Sequence, residues 1–460
     1  MFFEVKRLLR LEKVEAAVQA EQDYIEKFDH LQEVELEVVD VSSHGEGLAI
    51  NDEKDWIVAV PFCVPGERVL ARVYRNDRMH SYADLVEIVR RSEDKVEWRD
   101  DSRIGCKYFG KCSGCQYQML SYEKQLELKR NIVVKAYQNF SHLSDSLVPE
   151  IGPTLPSPQQ YGYRTKLTPH FDAPKPDMIR NNGEGFNIGF QQKGRRIVLD
   201  IEECPIGTPA INQQMTISRE ETKKNMAKYK RGATILLRDS LPIDIPIEDQ
   251  VESGPTPDEK HVCITDHHAV VRERVADKMF TFSANSFFQN NNDILRSLVE
   301  CIRDILPSDE QDSYLVDTYC GSGLFAITLA EKFKEVAGVE ISSESIKYAK
   351  LNAEINGLKN IRFIAGSAEA IFEGLTFDAS KTTILIDPPR KGCDELFLKQ
   401  LLAFSPKRIV YVSCNVHTQA RDVGYIVKQS GERYKVDSVR GCDLFPQTYH
   451  VEALAVLSQV

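Results

Sequence analysis

From residue 291 onward, apolar runs and stretches of helical period alternate with a regular beat. The runs YLVDTYC, EVAGVEIS, IRFIAGS, KTTILIDPP, RIVYVSCN, RYKVDSVRG and HVEALAVLSQV are rich in β-branched residues. Segments such as ESIKYAKLNAEING and DELFLKQLLAF, apolar at three- and four-residue intervals, separate most of them. This alternation predicts a doubly wound, mostly parallel sheet over 291–460. Upstream the rhythm differs. Over 31–92 the runs VELEVVDVS, WIVAVPF, RVLARVYR and YADLVEIVR are broken by SHGEG, NDEKD and CVPGE, as in a small five-stranded, OB-like β-barrel.

The remaining segments complete a multidomain α/β chain. Residues 1–30 read as a helical N-terminal extension, and 93–290 as a cysteine-containing central α+β domain. Within the latter, SYEKQLELKRNIVVKAYQNF is an amphipathic helix, and the helical part 118–145 is expected to pack on the catalytic domain. The acidic segment IPIEDQVESGPTPDEK (245–260) reads as a mobile loop.

Composition narrows the class. An apolar share of 42% and a charged share of 28% are ordinary for a soluble globular protein. No apolar run approaches the roughly 20 residues needed to cross a bilayer. The N-terminal stretch mixes Glu with Lys and Arg from residue 4, which fits neither a secretory signal nor a typical transit peptide. Eleven cysteines, an odd number, suit a reducing compartment rather than a disulfide scaffold. The expected location is intracellular, cytoplasmic or nuclear, with mitochondrial import as the weaker alternative, and the expected state is a monomer. A net charge of −11 argues against a nucleic-acid partner, yet binding needs only a local basic face. The runs KRNIVVK (129–135), YRTK (163–166), KGRR (193–196) and KKNMAKYKR (223–231) are candidates for one.

Residues with chemistry gather at the predicted strand ends, where ligands of such sheets bind. DTYCGSGLF (317–325) is a strand, a Gly-x-Gly turn and a helix start, which lets the backbone approach a ligand. On its own this turn also serves dinucleotides. Glu340, at the end of the second strand, suits ribose hydroxyls in either case. IDPPRKG (386–392) decides between them: Asp387 followed by two prolines makes a rigid turn over a pocket. The pairing is a methyltransferase pattern, and the implied cofactor is S-adenosylmethionine.

RIVYVSCN ends in Cys414, at the mouth of a strand rather than inside it. A thiol beside a methyl donor can activate a pyrimidine whose C5 is too weak a nucleophile. Addition of the thiolate to C6 makes C5 nucleophilic, and a base must then take the C5 proton. Glu452 opens the otherwise apolar last strand. If that strand runs antiparallel to the others, its start lies at their ends, and Glu452 stands near Cys414. Cys393 and Cys442 follow no complete strand run and read as structural.

With SFFQNN, DTYCGSG, DPPRKG, VSCN and HVEALAVL in this order, the chain resembles the RNA 5-methyluridine (uracil-C5) methyltransferase family from residue 30 onward. The resemblance implies a class I S-adenosylmethionine-dependent fold, with Cys414 as nucleophile and Glu452 as base. It implies cofactor-site roles for Gln289, Tyr319, Glu340 and Asp387. Leu324 departs from members that carry a cofactor-touching Asn there. The barrel is similar to the RNA-binding TRAM domain. Cys106, Cys112, Cys115 and Cys204 match the family's iron–sulfur spacing, and four thiolates suit a [4Fe–4S] cluster. The same spacing admits zinc, or no metal at all. Phe287 and Phe288, beside Gln289, are candidates to line the pocket of a flipped-out base, with core packing favoured for at least one.

CKYFGKCSGCQYQMLSYEKQLELKR resembles the fungal tRNA type, so the expected substrate is U54 of tRNA, with rRNA of the 23S type as the alternative. A cytosine-C5 enzyme would carry a second cysteine in the fourth-strand motif, which DPPR lacks. A radical enzyme would carry a C-x3-C-x2-C triplet, also absent. A catalytically silent RNA-binding or chaperone protein is the alternative of another class, opposed by the presence of both Cys414 and Glu452.

Overall fold

The computed structural model describes residues 1–23, 26–91, 98–181, 183–254, 259–306, 312–366, 372 and 375–460. The chain divides into two units, one of residues 1–135, 192–195 and 447–450, the other of 136–191, 196–446 and 451–460.

In the first unit, β1 (Glu33–Val41), β2 (Glu46–Ile50), β3 (Ile57–Pro61), β4 (Arg68–Asp77) and β5 (His80–Arg90) close a barrel in the order β1-β2-β3-β5-β4. Alternation builds it: Leu36 and Val38 of β1 are buried, while Glu33, Glu35 and Glu37 between them face out. β2 is the strand the sequence pattern hides, because its start lies in the SHGEG stretch read as a break. Two helices, Phe2–Leu9 and Leu11–Gln19, precede the barrel, and Val5, Leu9 and Val14 join its core.

The second unit is built on one eight-stranded sheet. Its strands are β6 (Gly152–Leu155), β7 (Tyr314–Thr318), β8 (Glu335–Glu340), β9 (Ile361–Ala365), β10 (Thr382–Ile386), β11 (Arg408–Ser413), β12 (Tyr434–Cys442) and β13 (Glu452–Gln459). They lie in the order β9-β8-β7-β10-β11-β13-β12-β6. All neighbours are parallel except β13, which runs antiparallel to both β11 and β12. Both faces of β10 and β11 are buried, as the unbroken apolar runs require. β6, from the segment read as part of a central domain, adds an edge strand that no pattern signalled.

The core of this unit joins the sheet to the hairpin Val270–Val275/Lys278–Ser283 and the helix Asp293–Ile305, with Phe280, Phe282, Leu298, Leu315 and Leu385 in one cluster. Asn352, fully buried on the helix Ser343–Ile355, ties three elements together. Its Nδ2 donates to the carbonyls of Thr281 (3.0 Å) and Ser322 (2.9 Å), and its Oδ1 accepts from the amide of Thr281 (2.7 Å). One expectation needs amending. The stretch 245–260 is not all loop, since Ile247–Ser253 is helical, and its residues 255–258 lie outside the described residues. Among the described residues no helix is long and apolar enough to cross a membrane.

Candidate active site

A cavity of about 700 Å³ opens at the carboxyl ends of β7, β8, β10 and β11. Five of the predicted residues line it: Gln289, Tyr319, Glu340, Asp387 and Cys414. The turn after β7 is made by backbone that side chains resist. Tyr319 has φ 62°, Gly321 φ 55° and Gly323 φ 94°. A Cβ on Gly321 would meet nothing within 4 Å, so the backbone there faces open space that a ligand can fill. At Gly323 it would stand 2.9 Å from Ile327 Cδ1, so only glycine lets the helix Leu324–Leu329 begin there.

Glu340 is held ready for a ligand. Its Oε2 accepts from the amide of Gly321 (3.2 Å) and its Oε1 from that of Ser342 (2.9 Å), which fixes the carboxylate at the mouth of β8. Asp317, beneath the turn, accepts from the amide of Ala326 (2.9 Å), while its Oδ1 has no partner among the described residues. Burial, with Asp387 and Glu340 adding, holds its carboxyl well above the usual range. An anchored carboxylate, an open glycine turn and a large cavity fit the ribose and amino-acid parts of S-adenosylmethionine. Leu324 is buried and lines the same wall, so no polar side chain reaches the cavity from that position.

Phe287 and Phe288 both line the cavity but differ in burial. Phe288 is buried and stacks on Phe282, with ring centroids 4.4 Å apart and planes within 9°. Phe287 lines the cavity with 73% of its surface exposed.

The thiol and the carboxylate are brought together by register. β11 and β13 pair antiparallel through Arg408↔Ser458 to Ser413↔Ala453. Ser413 directly precedes Cys414 and Ala453 directly follows Glu452, so the two residues lie at the same end of that ladder. The reversed last strand therefore delivers its first residue to the edge where the parallel strands end, as the sequence pattern anticipates.

The electrostatics of the pair are unusual. Glu452 is 3% exposed, and its Oε2 has no partner among the described residues. Burial, and then the charge of Asp387, raise its pKa to about 8, against the pull of Arg390. Burial likewise pushes the Cys414 thiol up to about 12, with Glu452 and Asp387 adding and Arg390 opposing. Asp387 itself is raised to about 7 by burial. Arg390 is thus the positive group that favours the ionised forms of both Cys414 and Glu452. Nothing in the sequence alone sets this arginine apart from a solvated one. Its loop is clamped from the helix Val416–Gln429 and its N-cap. Asn415 Nδ2 and Thr418 Oγ1 donate to the Arg390 carbonyl (2.9 and 3.3 Å), and the amide of Cys393 donates to Asp422 (2.8 Å). Cys393 and Cys442 are buried, in line with structural roles.

Comparison with known proteins agrees with this geometry. The tRNA (Uracil-5-)-methyltransferase family matches residues 256–460. The tRNA (uracil(54)-C(5))-methyltransferase of Schizosaccharomyces pombe is 47% identical over 441 residues, covering 94% of this chain and 79% of that one. The chain belongs to the tRNA (uracil-5-)-methyltransferase family. The Saccharomyces cerevisiae tRNA (uracil(54)-C(5))-methyltransferase is 39% identical over 479 residues, covering 94% and 74%. The crystal structure of Pyrococcus abyssi tRNA (uracil-54, C5)-methyltransferase shares the fold, with a TM-score of 0.64 at 24% identity, covering 92% of this chain and all of that one.

Family membership leaves the cysteine-rich stretch to be judged by its own geometry. Cys112 accepts from the amide of Gly114 at 3.4 Å, and burial, with Cys106 nearby, raises its thiol above the usual range. Yet among the described residues no group of three or more His, Cys, Asp or Glu is arranged to hold a metal ion. The expected ligand set Cys106, Cys112, Cys115 and Cys204 thus has no support as a [4Fe–4S] site among the described residues. Several basic candidates for RNA are also occupied internally. Lys129 is buried, Lys135 pairs with Asp40 (2.9 Å), Lys193 with Glu46 (2.9 Å), Arg195 with Asp84, and Lys223 with Asp200 (3.4 Å). Lys224, Lys228, Lys230 and Arg231 remain exposed.

Proposed function

We propose that this protein methylates C5 of uridine 54 in tRNA, with S-adenosylmethionine as donor. The observation that carries the reading is the register of β11 against β13, which ends beside both a thiol lining a cofactor-sized cavity and a buried carboxylate. The kinship with two fungal enzymes named for uracil 54 supports the choice of substrate.

When bound, S-adenosylmethionine supplies an electrophilic methyl group on a sulfonium. Glu340 would hold its ribose hydroxyls, with Gln289, Tyr319 and Asp387 lining the rest of its site. Cys414, as the thiolate, adds to C6 of the uracil and forms an S–C6 bond, which pushes the ring electrons toward C5. C5 then takes the methyl. Glu452, as the carboxylate, removes the proton from C5, the S–C6 bond breaks and Cys414 leaves as thiolate. A base of raised pKa is the better match for a carbon-bound proton, which gives the burial of Glu452 a purpose. Arg390, opposing the upward shift of the thiol, favours the reactive form of Cys414.

In this reading the barrel β1–β5 grips RNA backbone, the exposed Lys224, Lys228, Lys230 and Arg231 meet phosphates, and Phe287 offers a face to the flipped base. An iron–sulfur cluster takes no part in it. The test is adduct chemistry. Incubated with a tRNA transcript and S-adenosylmethionine, Glu452→Gln should remain joined to RNA through Cys414 under denaturing conditions, and Cys414→Ala should form neither adduct nor product. A Cys414→Ala protein that still makes 5-methyluridine sinks the mechanism.

A further inference from the structure

Gln419 lies in the first turn of the helix Val416–Gln429, five residues after Cys414, and has no exposed surface. Its amide ends on both strands that carry the reacting pair. Nε2 donates to the carbonyl of Tyr411 on β11 (2.8 Å) and to that of Ala453 on β13 (2.9 Å). Oε1 accepts from the hydroxyl of Tyr137 (3.2 Å). Ala453 directly follows Glu452, and its partner across the ladder, Ser413, directly precedes Cys414.

The ladder ends at that pair, and Cys414 and Glu452 lie just beyond its last rung. The Gln419 amide bridges the seam near its end, from Tyr411, two rungs before the last, to Ala453 at the last. A carboxamide suits the position for a chemical reason. One end carries two donors and meets two carbonyls, and the other end accepts and meets a hydroxyl. A carboxylate would face both carbonyls with negative charge, and an apolar side chain would leave buried polar groups without their bonds.

We propose that Gln419 is a positioning residue that sets the separation of Cys414 and Glu452, and so governs removal of the C5 proton and release of the thiol. The inference rests on the reading of those two residues as nucleophile and base. Gln419 touches neither substrate nor cofactor in this account, so its loss should act on turnover and not on donor affinity.

The test compares Gln419→Met, which keeps the length and loses the donor, with Glu452→Gln as the reference for stalled proton removal. Turnover, KM for S-adenosylmethionine and the fraction of protein covalently joined to RNA are measured together. Gln419→Met should lower kcat by about tenfold or more, leave that KM within about twofold, and raise the adduct fraction severalfold over the unaltered protein. Gln419→Glu adds a signature that simple loosening does not give. Its activity relative to the unaltered protein should recover as pH falls from about 8 to about 6, because the protonated acid regains a donor. Should Gln419→Met fail to fold, Tyr137→Phe removes only the hydroxyl that orients the amide, and should lower kcat with the same rise in adduct. A folded Gln419→Met, or a Tyr137→Phe in its stead, with unchanged kcat overturns the proposal, as does a loss of turnover without added adduct. If Glu452→Gln itself gathers no adduct, the underlying reading fails instead, whatever Gln419 does.

Discussion

Glu452 is a carboxyl in a place that favours its neutral form, and this has two measurable consequences. Its pKa is about 8 in the folded chain against an ordinary 4.5. A base works only when ionised, so the single-turnover rate at which the covalent adduct resolves should climb with pH through about 8 and level off above it. The same shift bears on stability. Below 4.5 the folded and unfolded chains both keep the proton, and the contribution is fully present. Between 4.5 and about 8 the unfolded chain releases a proton that the folded chain retains, so stability falls as pH rises; above about 8 the loss is complete. Glu452→Gln should therefore melt higher than the unaltered protein near pH 8 and show little difference near pH 4, by thermal denaturation. An unchanged melting difference across that range would mean the carboxyl is not buried as described. Both residues proposed to react were legible in the sequence, because a cysteine after an unbroken β-branched run and an acid opening an apolar one are each out of place. Arg390 was not, since its meaning comes from two titrating groups brought to it by other strands. Gln419 was not either, because its partners lie on separate strands and on Tyr137, 282 positions away.

At the scale of elements, the strand ends do the work. Seven strands of the catalytic sheet could be read from their apolar runs, and the reversal of β13 followed from asking where Glu452 would need to be. The short edge strand β6 and the barrel strand β2 could not, as both lie in Gly-containing stretches where periodicity is brief. The Gly321 turn and Glu340 form one device: the carboxylate of β8 receives an amide from the loop of β7 and its own following turn. Glu340→Ala removes the ligand group and releases two amides at once. It should weaken S-adenosylmethionine binding by about tenfold or more in calorimetry while leaving RNA affinity unchanged. Equal losses for both ligands would instead mean that the loop supports the whole unit.

For the molecule as a whole, a net charge of −11 has to be reconciled with an RNA substrate. Much of the basic content is spent on internal ion pairs, which is why basic runs in the sequence overstate the free positive surface. The exposed group Lys224, Lys228, Lys230 and Arg231 is local, and local charge is enough to hold phosphates. Replacing all four with Ala should weaken tRNA binding and flatten its salt dependence by a slope of up to about three or four, leaving cofactor affinity intact. A salt slope that does not change would place the RNA face elsewhere. The cysteine-rich stretch shows the limit of spacing as a guide, since four cysteines stand at a family's intervals while among the described residues no metal-holding group is found.

Cys414 is proposed to drive methylation of uridine 54 in tRNA. Nucleoside mass spectrometry, with digestion fragments mapped, on an unmodified tRNA transcript incubated with the protein and S-adenosylmethionine addresses it most directly, with Cys414→Ala in parallel. The unaltered protein should make one 5-methyluridine per tRNA, at position 54, and the variant none. Methylation that survives loss of the thiol, or that falls on another position or only on ribosomal RNA, would contradict it.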